Sequence, residues 1–221
     1  MNLTYAPTHA TGKDLNIKVN GFTICYDDLG KGEIPIIFIH GFPFNKSTWQ
    51  WQMELLKKTQ RVIAYDIRGF GKSTSGEEKA SIDLFANDLI SFMDALKIKK
   101  AVVCGFSMGG YTLLNAVSHY PDRFKAIILS DTQCIVDTPG IIEKRKLTIM
   151  KINSGKLNDF ADGFIKSVFC AETLATKKDL VEELREIVLS KSPLSVIAVL
   201  SSMADRKEMF SVVSKIYIPS L

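Results

Sequence analysis

Ser107 stands in the stretch Cys-Gly-Phe-Ser-Met-Gly-Gly at residues 104–110, which fits the pattern G-x-S-x-G. In this pattern a serine lies in a strained backbone conformation where a strand turns sharply into a helix. A serine hydroxyl is a weak nucleophile unless a neighbouring base, usually a histidine, takes its proton. The pattern predicts that Ser107 is the nucleophile of an acyl-transfer reaction. The alternative is a glycine-rich turn with an incidental serine.

A second stretch, His-Gly-Phe-Pro at residues 40–43, follows an apolar run at residues 34–39. Acyl transfer passes through a tetrahedral oxyanion, which preorganised backbone N–H groups stabilise. One such donor is the residue after the nucleophile, here Met108, and the other lies in the loop after an earlier strand. We assign the second donor to Phe42, because Pro43 has no N–H group. The alternative is a simple turn.

Residues 66–73, Asp-Ile-Arg-Gly-Phe-Gly-Lys-Ser, look like the end of a phosphate-binding loop. The glycine that such a loop requires five positions before Gly71 is Asp66, and no helical pattern starts at Ser73. We therefore predict no nucleotide site. Asp66 and Arg68 are instead expected to pin this loop by charge-assisted hydrogen bonds.

Strand-like and helix-like runs alternate through the first 130 residues. The predicted strands are 15–19, 22–26, 34–39, 61–65, 101–104 and 126–129, and the predicted helices are 46–58, 81–96 and 108–119. Asn20-Gly21 separates the first two strands and predicts a hairpin. Strands separated by helices imply parallel pairing through right-handed crossovers. The predicted fold class is α/β, with a mostly parallel sheet and helices on both faces.

From about residue 137 to residue 213 the pattern is helical only, with candidates at 141–152, 177–189 and 194–203. Such a block predicts a cap beside the active site, and a separate small helical domain is the alternative. The predicted division is a core at 1–136, a helical cap at 137–213 and the start of a returning strand at 214–221. We expect an apolar acyl pocket lined by Phe160, Phe164, Phe169, Met203 and Phe210.

Charge and cysteine usage restrict the class of partner. The formal charge is +4, and the lysines are scattered singly or in pairs, which indicates a solvated surface and no nucleic-acid partner. The cysteines, Cys25, Cys104, Cys134 and Cys170, lack metal-site spacing and predict buried free thiols in a reducing compartment. Without a signal sequence or a run of 18 apolar residues, we expect no membrane association and a cytoplasmic location.

The motifs at 40–43, 66–73 and 105–110, followed by His-Tyr-Pro-Asp-Arg-Phe-Lys-Ala-Ile-Ile-Leu-Ser-Asp-Thr at 119–132, resemble the α/β-hydrolase superfamily. The similarity is to the branch of 3-oxoadipate enol-lactonases, small carboxylesterases and cofactor-free perhydrolases. It implies Ser107 as the nucleophile and the N–H groups of Phe42 and Met108 as the oxyanion hole. It also implies a small ester or lactone substrate and no metal or organic cofactor. We expect a monomer or a homodimer.

None of the three histidines is a convincing base for Ser107. His119 follows 12 residues later on the same predicted helix, roughly 18 Å away at 1.5 Å per residue. In the resembling family the position of His40 shapes the oxyanion loop, and His9 lies in a polar N-terminal segment. The superfamily's triad runs in the order serine, acid, histidine, so we expect the histidine beyond residue 221.

Asp131 follows the predicted strand 126–129 and is the candidate acid inside the chain. We favour the alternative that Asp131 and Thr132 close this strand and support the cap, with the acid also beyond residue 221. A complete fold would need about 40 to 50 more residues. We therefore expect an incomplete hydrolase, truncated before its last strand, with no turnover and a marginal fold whose open edge favours association. The alternative is a non-catalytic ligand-binding or regulatory protein on the same scaffold.

Overall fold

The computed structural model describes residues 11–221. It begins with the predicted hairpin, in which β1 (Gly12–Val19) pairs antiparallel with β2 (Phe22–Leu29). The turn residues Asn20 and Gly21 have φ angles of +46° and +77°. Positive φ at both central residues is the requirement of a type I′ turn, which the Asn-Gly dipeptide satisfies with little strain. The hairpin prediction is confirmed.

Four further strands complete the sheet: β3 (Ile36–Ile39), β4 (Val62–Tyr65), β5 (Ala101–Phe106) and β6 (Phe124–Ser130). The strand order is β1-β2-β4-β3-β5-β6. Neighbours from β4 to β6 pair in parallel, whereas β2 meets β4 antiparallel. The predicted mostly parallel α/β sheet is confirmed. Because β3 to β6 run in one direction, their carboxyl ends meet at one edge of the sheet.

Three helices cover the two faces of the sheet: α1 (Gln50–Leu56), α2 (Ile82–Ala95) and α3 (Met108–His119). Side chains alternate along β3, so Ile37 and Ile39 join the larger core cluster, beneath α2 and α3, while Phe38 faces away from it. Phe38 packs in the smaller cluster beside α1. The prediction of helices on both faces is confirmed.

Six helices follow β6: α4 (Pro139–Asn153), α5 (Leu157–Val168), α6 (Ala171–Thr176), α7 (Lys178–Leu189), α8 (Pro193–Ala204) and α9 (Phe210–Val213). The sequence predicted α4, α7 and α8 to within a few residues but missed α5, α6 and the short α9. Gly163 lowers the intrinsic helix propensity in the middle of α5. Packing of its apolar face overrides that preference, with Ala161 and Ile165 buried. The domain boundaries at residues 137 and 213 stay a prediction.

The last three residues lie beside β6 and pair with it in parallel. Ile127 N–H donates to the Pro219 carbonyl at 3.0 Å, Leu221 N–H donates to the Ile127 carbonyl at 3.1 Å, and Leu129 N–H donates to the Leu221 carbonyl at 2.8 Å. The preceding residues Ile216 and Ile218 are half-buried against the larger core cluster. The apolar run at 216–221 therefore contributes to the sheet and its packing.

The four cysteines are free but differ in exposure. Cys25 and Cys104 are buried as predicted, and burial raises the pKa of each thiol to about 11. The prediction of burial is wrong for Cys170, which is exposed, and for Cys134, which is half-buried. Both lie after β6, outside the apolar strand runs on which that prediction depended.

Within residues 11–221, no single helix has the length and apolarity needed to cross a membrane. The helices α7 and α8 reach that length and composition only as a pair, with a bend of 89° between them. The apolar side chains Val196, Val199 and Leu200 of α8 are buried in the larger core cluster. Much of the hydrophobicity of α8 is therefore used in packing.

Candidate active site

Ser107 occupies the turn between β5 and α3, with φ of +50° and ψ of −114°. This conformation lies outside the favoured regions for a residue with a side chain and costs about 1–3 kcal/mol unless the surroundings fix it. It is the strained conformation that the sequence pattern predicted. Ser107 is half-buried at the edge where the parallel strands end. The sharp turn therefore presents its side chain at that edge.

Two glycines allow this turn to form. A Cβ atom on Gly105 would lie 2.5 Å from the Gly109 carbonyl oxygen, and one on Gly109 would lie 2.5 Å from the Ile39 carbonyl oxygen. Both neighbours are backbone atoms, which cannot move aside as a flexible side chain could. Close approach of β5, α3 and β3 therefore requires glycine at positions 105 and 109.

The loop after β3 lies against this turn. Ile39 is the partner of Gly105 in the β3–β5 register, and a Cβ atom on Gly41 would lie 2.9 Å from the Phe106 ring. The backbone N–H groups of Phe42 and Met108 have no hydrogen-bond acceptor among residues 11–221. Phe42 is joined to Pro43 by a cis peptide bond. The structure thus holds two unpaired N–H groups on adjoining segments, although their role as an oxyanion hole stays a prediction.

His40 is fully buried, and both of its ring nitrogens are engaged. Nε2 accepts the Ile67 N–H at 3.0 Å, so Nδ1 carries the proton and donates to the Gly41 carbonyl at 2.9 Å. Burial, opposed by the bond to Gly41 and assisted by the positive charge of Lys191, lowers the pKa of His40 to about 3. His40 is therefore neutral, with no free lone pair for the Ser107 proton. It ties the loop after β3 to the loop after β4.

Within residues 11–221, His119 is the only histidine besides His40, and it is not placed to act as the base. His119 lies in the last turn of α3, where Nδ1 is 2.9 Å from the Asn115 carbonyl oxygen. This is the helix end predicted from the sequence, and it lies far along α3 from Ser107. His9 lies outside the described residues. Within residues 11–221, no three side chains of His, Cys, Asp or Glu are grouped as metal ligands.

Asp131 lies directly beyond β6 and beside the turn at Ser107 between β5 and α3, which we call the elbow. It has a φ of +40°, and its side chain is exposed to solvent. Its two neighbours both bind the backbone of Ser107, since Ser107 N–H donates to the Ser130 carbonyl at 3.0 Å and Thr132 Oγ1 donates to the Ser107 carbonyl at 2.7 Å. The prediction that Thr132 supports the cap is therefore incomplete, because its hydroxyl supports the elbow. The assignment of Asp131 as the acid stays a prediction.

Asp66 and Arg68 pin the loop after β4, as predicted. The buried Asp66 carboxylate accepts the backbone N–H groups of Lys46 and Lys72, each at 2.8 Å. Burial raises the pKa of this carboxyl, against the two N–H bonds that lower it. Arg68 binds both carboxylate oxygens of Asp88 on α2, each at 2.8 Å. These contacts give the stretch 66–73 a structural role, consistent with the absence of a phosphate-loop pattern.

Aromatic side chains of α5 pack against the loop after β3. The ring centroid of Phe160 is 6.1 Å from that of Phe42, and the centroid of Phe164 is 5.6 Å from that of Phe44. Both belong to the set predicted to line an apolar acyl pocket. Phe210, from the same set, is 67% exposed, so its assignment to a buried pocket is wrong.

Arg206 joins the segment after α8 to the segment between β6 and α4. Its guanidinium donates to the Asp137 carboxylate at 2.7 Å and to the Ile135 carbonyl at 2.9 Å, and it lies 4.4 Å from the centre of the Tyr111 ring. Asp137 also accepts Arg145 Nε at 2.5 Å. Burial would raise the pKa of Asp137, but the two arginines outweigh it and lower the pKa. Arg206 and Lys207 also line a cavity of about 280 Å³ at the start of α2, apart from Ser107.

Sequence reasoning did not single out Arg206, and it gave Thr132 a different role. Neither residue stands in a recognisable pattern, and the partners of Arg206 lie 69 and 71 positions away in the sequence. The parallel pairing of β5 with β6 brings Thr132 beside Ser107. Only that pairing connects the two residues, so the spacing of residue types carries no signal for it.

The sequence of the chain matches a family model described as "alpha/beta hydrolase fold" over residues 34–178. A putative non-heme chloroperoxidase of Synechocystis sp. is 47% identical over 87 residues, which are 39% of this chain and 31% of the relative. The 3-oxoadipate enol-lactonase 2 of Acinetobacter baylyi is 29% identical over 203 residues, 78% of this chain and 73% of the relative. The match thus spans less than a third of the first protein and nearly three quarters of the second.

Among solved structures, a thermophilic esterase from Thermogutta terrifontis has a TM-score of 0.87 and 29% sequence identity. The similarity covers 93% of this chain and 78% of the esterase chain. The match extends well past residue 178, where the family model stops, and so includes helices that follow β6.

Proposed function

The chain belongs to the α/β-hydrolase superfamily, and from this premise we propose that it is a serine hydrolase of small carboxylic esters or lactones that acts through Ser107. Its relatives include proteins named as enol-lactonases and as a bifunctional esterase/perhydrolase, and these names support hydrolase chemistry. The single observation that carries the proposal is the strained Ser107 at the strand edge, together with the N–H groups of Phe42 and Met108, which have no acceptor among residues 11–221.

In the proposed mechanism Ser107 Oγ attacks the carbonyl carbon of the ester. The hydroxyl proton moves to a histidine, the carbonyl π electrons move to oxygen, and the N–H groups of Phe42 and Met108 stabilise the oxyanion. The oxyanion collapses, the ester C–O bond breaks and the alcohol leaves with the proton. Water then hydrolyses the acyl-enzyme by the same steps and releases the acid.

The acid and the base complete the proposal. The superfamily order of serine, acid and histidine leads us to expect the histidine after residue 221. We expect the acid after residue 221 as well, and Asp131, the candidate acid within the chain, is the alternative. The engagement of both ring nitrogens of His40 supports a base from elsewhere.

The proposal extends to the cap, the partner and the cellular context. Phe160 and Phe164, packed over the oxyanion loop, support an apolar surface for the acyl group. The proposed partner is a small ester or lactone, with neither nucleic acid nor membrane as a partner, for a monomer or homodimer in the cytoplasm. The Acinetobacter relatives named for 3-oxoadipate enol-lactone support a lactone as one substrate to test.

The test begins with the reading frame, which we expect to continue past Leu221 into an acidic loop and a histidine. The longer protein should hydrolyse short p-nitrophenyl esters, and Ser107→Ala should lower the rate by about 10³-fold or more. Ser118→Ala, at the other end of α3, is the matched control and should leave the rate unchanged. Equal rates for the wild type and Ser107→Ala would refute the nucleophile.

A non-catalytic ligand-binding or regulatory role is the second candidate. The observation that favours it is that neither His40 nor His119 can serve Ser107. It predicts saturable binding of an ester or lactone, measured by calorimetry, without hydrolysis in any longer form of the protein. The residues 1–221 alone should show no turnover above that of Ser107→Ala. Ser107-dependent turnover at rates typical of esterases would show that the base is already present.

A further inference from the structure

The peptide unit between Ser107 and Met108 is held by a side chain from outside its own helix. Thr132 Oγ1 donates to the Ser107 carbonyl oxygen at 2.7 Å. The same oxygen accepts the N–H groups of Gly110 at 2.9 Å and Tyr111 at 3.3 Å from the first turn of α3. The Thr132 bond is the one of the three that comes from another segment of the chain.

The carbonyl of Ser107 and the N–H of Met108 belong to one planar peptide group. Any contact that fixes the direction of this carbonyl therefore fixes the direction of the N–H, which points the opposite way in a trans peptide. A hydrogen bond to the carbonyl also polarises the peptide and strengthens its N–H as a donor. Thr132 thus acts on the proposed oxyanion donor through the peptide plane.

Thr132 packs closely against Gly110 in the first turn of α3. A Cβ atom on Gly110 would lie 2.4 Å from Thr132 Oγ1 and 2.6 Å from Thr132 Cβ. The second glycine after the nucleophile therefore gives the threonine its place against α3. On the other side, Ser107 N–H donates to the Ser130 carbonyl, so the 130–132 segment binds both backbone polar groups of the nucleophile.

We propose that Thr132 is a positioning residue that holds the Ser107–Met108 peptide plane and so aims the Met108 N–H at the developing oxyanion. The proposal rests on the proposed role of Ser107 as the nucleophile. Thr132 touches no reacting atom, and its effect passes through the backbone. Removal of an oxyanion-hole donor costs about 10²–10³-fold in rate, so a misaligned donor is expected to cost about tenfold or more.

The test compares Thr132→Val, which keeps the branched shape and loses the hydroxyl, with Thr132→Ser, which keeps the hydroxyl. The probe is an alkyl fluorophosphonate, whose phosphorus bonds to Ser107 Oγ with release of fluoride and whose phosphoryl oxygen requires the oxyanion donors. Labelling is followed by intact mass as a function of probe concentration. Thr148→Val is the matched control, because Thr148 Oγ1 also donates to a backbone carbonyl, that of Lys144 at 2.9 Å in the cap.

We expect Thr132→Val to lower the limiting labelling rate about tenfold or more, with an unchanged half-saturating concentration. Thr132→Ser should stay within about threefold of the wild type, and Thr148→Val should be unaffected. A general loss of stability would not lower the limiting labelling rate of Thr132→Val, spare that of Thr132→Ser and leave the half-saturating concentration unchanged. Equal limiting rates for Thr132→Val and the wild type would overturn the proposal.

Amide hydrogen exchange gives a readout that does not depend on reactivity. Gly110 and Tyr111 donate to the same carbonyl as Thr132, so Thr132→Val should speed exchange of their amides and Thr132→Ser should not. The labelling is done with the longer protein that includes the proposed histidine. If Ser107→Ala is labelled there as fast as the wild type, or neither is labelled, the proposed nucleophile fails and exchange alone decides on Thr132. Unchanged exchange at these two amides would then contradict the proposal.

Discussion

The elbow around Ser107 leaves no space for a side chain at Gly105. A Cβ atom there would meet the Gly109 carbonyl oxygen at 2.5 Å, and the obstacle is backbone. We expect Gly105→Ala to lower the free energy of unfolding by about 2–3 kcal/mol, because forced overpacking must shift β5 or α3. Urea unfolding measured by circular dichroism would give this value.

Gly163 supplies the matched control, since a Cβ atom there meets nothing within 4 Å and the residue lies inside α5. Gly163→Ala should raise the free energy of unfolding by about 1 kcal/mol through helix propensity. Replacing glycine by alanine should therefore lower the free energy of unfolding at position 105 and raise it at position 163. A stable Gly105→Ala protein would show that the elbow can relax, and its Ser107 would then lack the strained conformation.

Buried His40 predicts a loss of stability in acid. Its pKa falls from about 6.5 in the unfolded chain to about 3 in the folded protein, so the unfolded chain binds the extra proton between these values. The contribution of the neutral imidazole to the free energy of unfolding is fully present above about pH 6.5 and declines as the pH falls toward 3. Between pH 7 and pH 5 the free energy of unfolding should fall by about 2 kcal/mol from this group.

The measurement is urea unfolding at both pH values for the wild type and His40→Gln. Gln cannot take up a proton in this range, so the fall between pH 7 and pH 5 should be smaller by about 2 kcal/mol in the variant. The carboxyl groups contribute equally to both proteins and cancel in the difference. An identical pH dependence in the two proteins would mean that His40 is not buried in its neutral form.

A buried ion pair between Arg206 and Asp137 joins the segment after α8 to the segment after β6, and Arg145 is a second partner of Asp137. Arg206 and Asp137 expose only 3% and 1% of their side chains, and Met209 N–H donates to the Cys134 carbonyl in the same region at 2.7 Å. Removing one partner of a buried pair leaves the other charge poorly compensated. Arg206→Met should therefore lower the free energy of unfolding by about 3 kcal/mol, measured by urea unfolding.

Arg185→Met makes the same change in an exposed pair. Arg185 Nε contacts Asp162 at 2.6 Å, with 27% and 48% of the two side chains exposed. Solvent screening limits such pairs to about 1 kcal/mol or less. Arg206→Met should also increase proteolysis between β6 and α4, whereas Arg185→Met should not. Equal effects of the two variants would contradict a special role for the Arg206 contact.

Residues 219–221 pair with β6 at one side of the sheet. Three backbone hydrogen bonds join Pro219 and Leu221 to Ile127 and Leu129 of β6. Shortening the protein to residues 1–215 would expose the free N–H groups of β6 and remove the packing of Ile216 and Ile218. We expect a lower thermal midpoint and a shift toward larger species, because an unpaired strand edge is a template for association. Analytical ultracentrifugation would detect the shift, and a monomer of unchanged stability would show that these contacts are dispensable.

The sequence by itself determined the hairpin, the alternation of strands and helices, and the serine turn, because each depends on local patterns. Asn-Gly selects its turn, apolar runs select buried strands, and glycines around Ser107 select a sharp elbow. Local patterns did not predict α5, because the packing of Ala161 and Ile165 outweighs the low helix propensity of Gly163. They also misplaced Phe210, whose exposure depends on the fold around it.

Only the tertiary structure decided which distant residues meet. The neutral state of His40 follows from its burial between the loops after β3 and β4, and the hydrogen bond from Thr132 to Ser107 follows from the pairing of β5 with β6. The bond between Arg206 and Asp137 joins positions 69 residues apart. Spacing along the chain does not encode these contacts, because they arise from the joint packing of several elements.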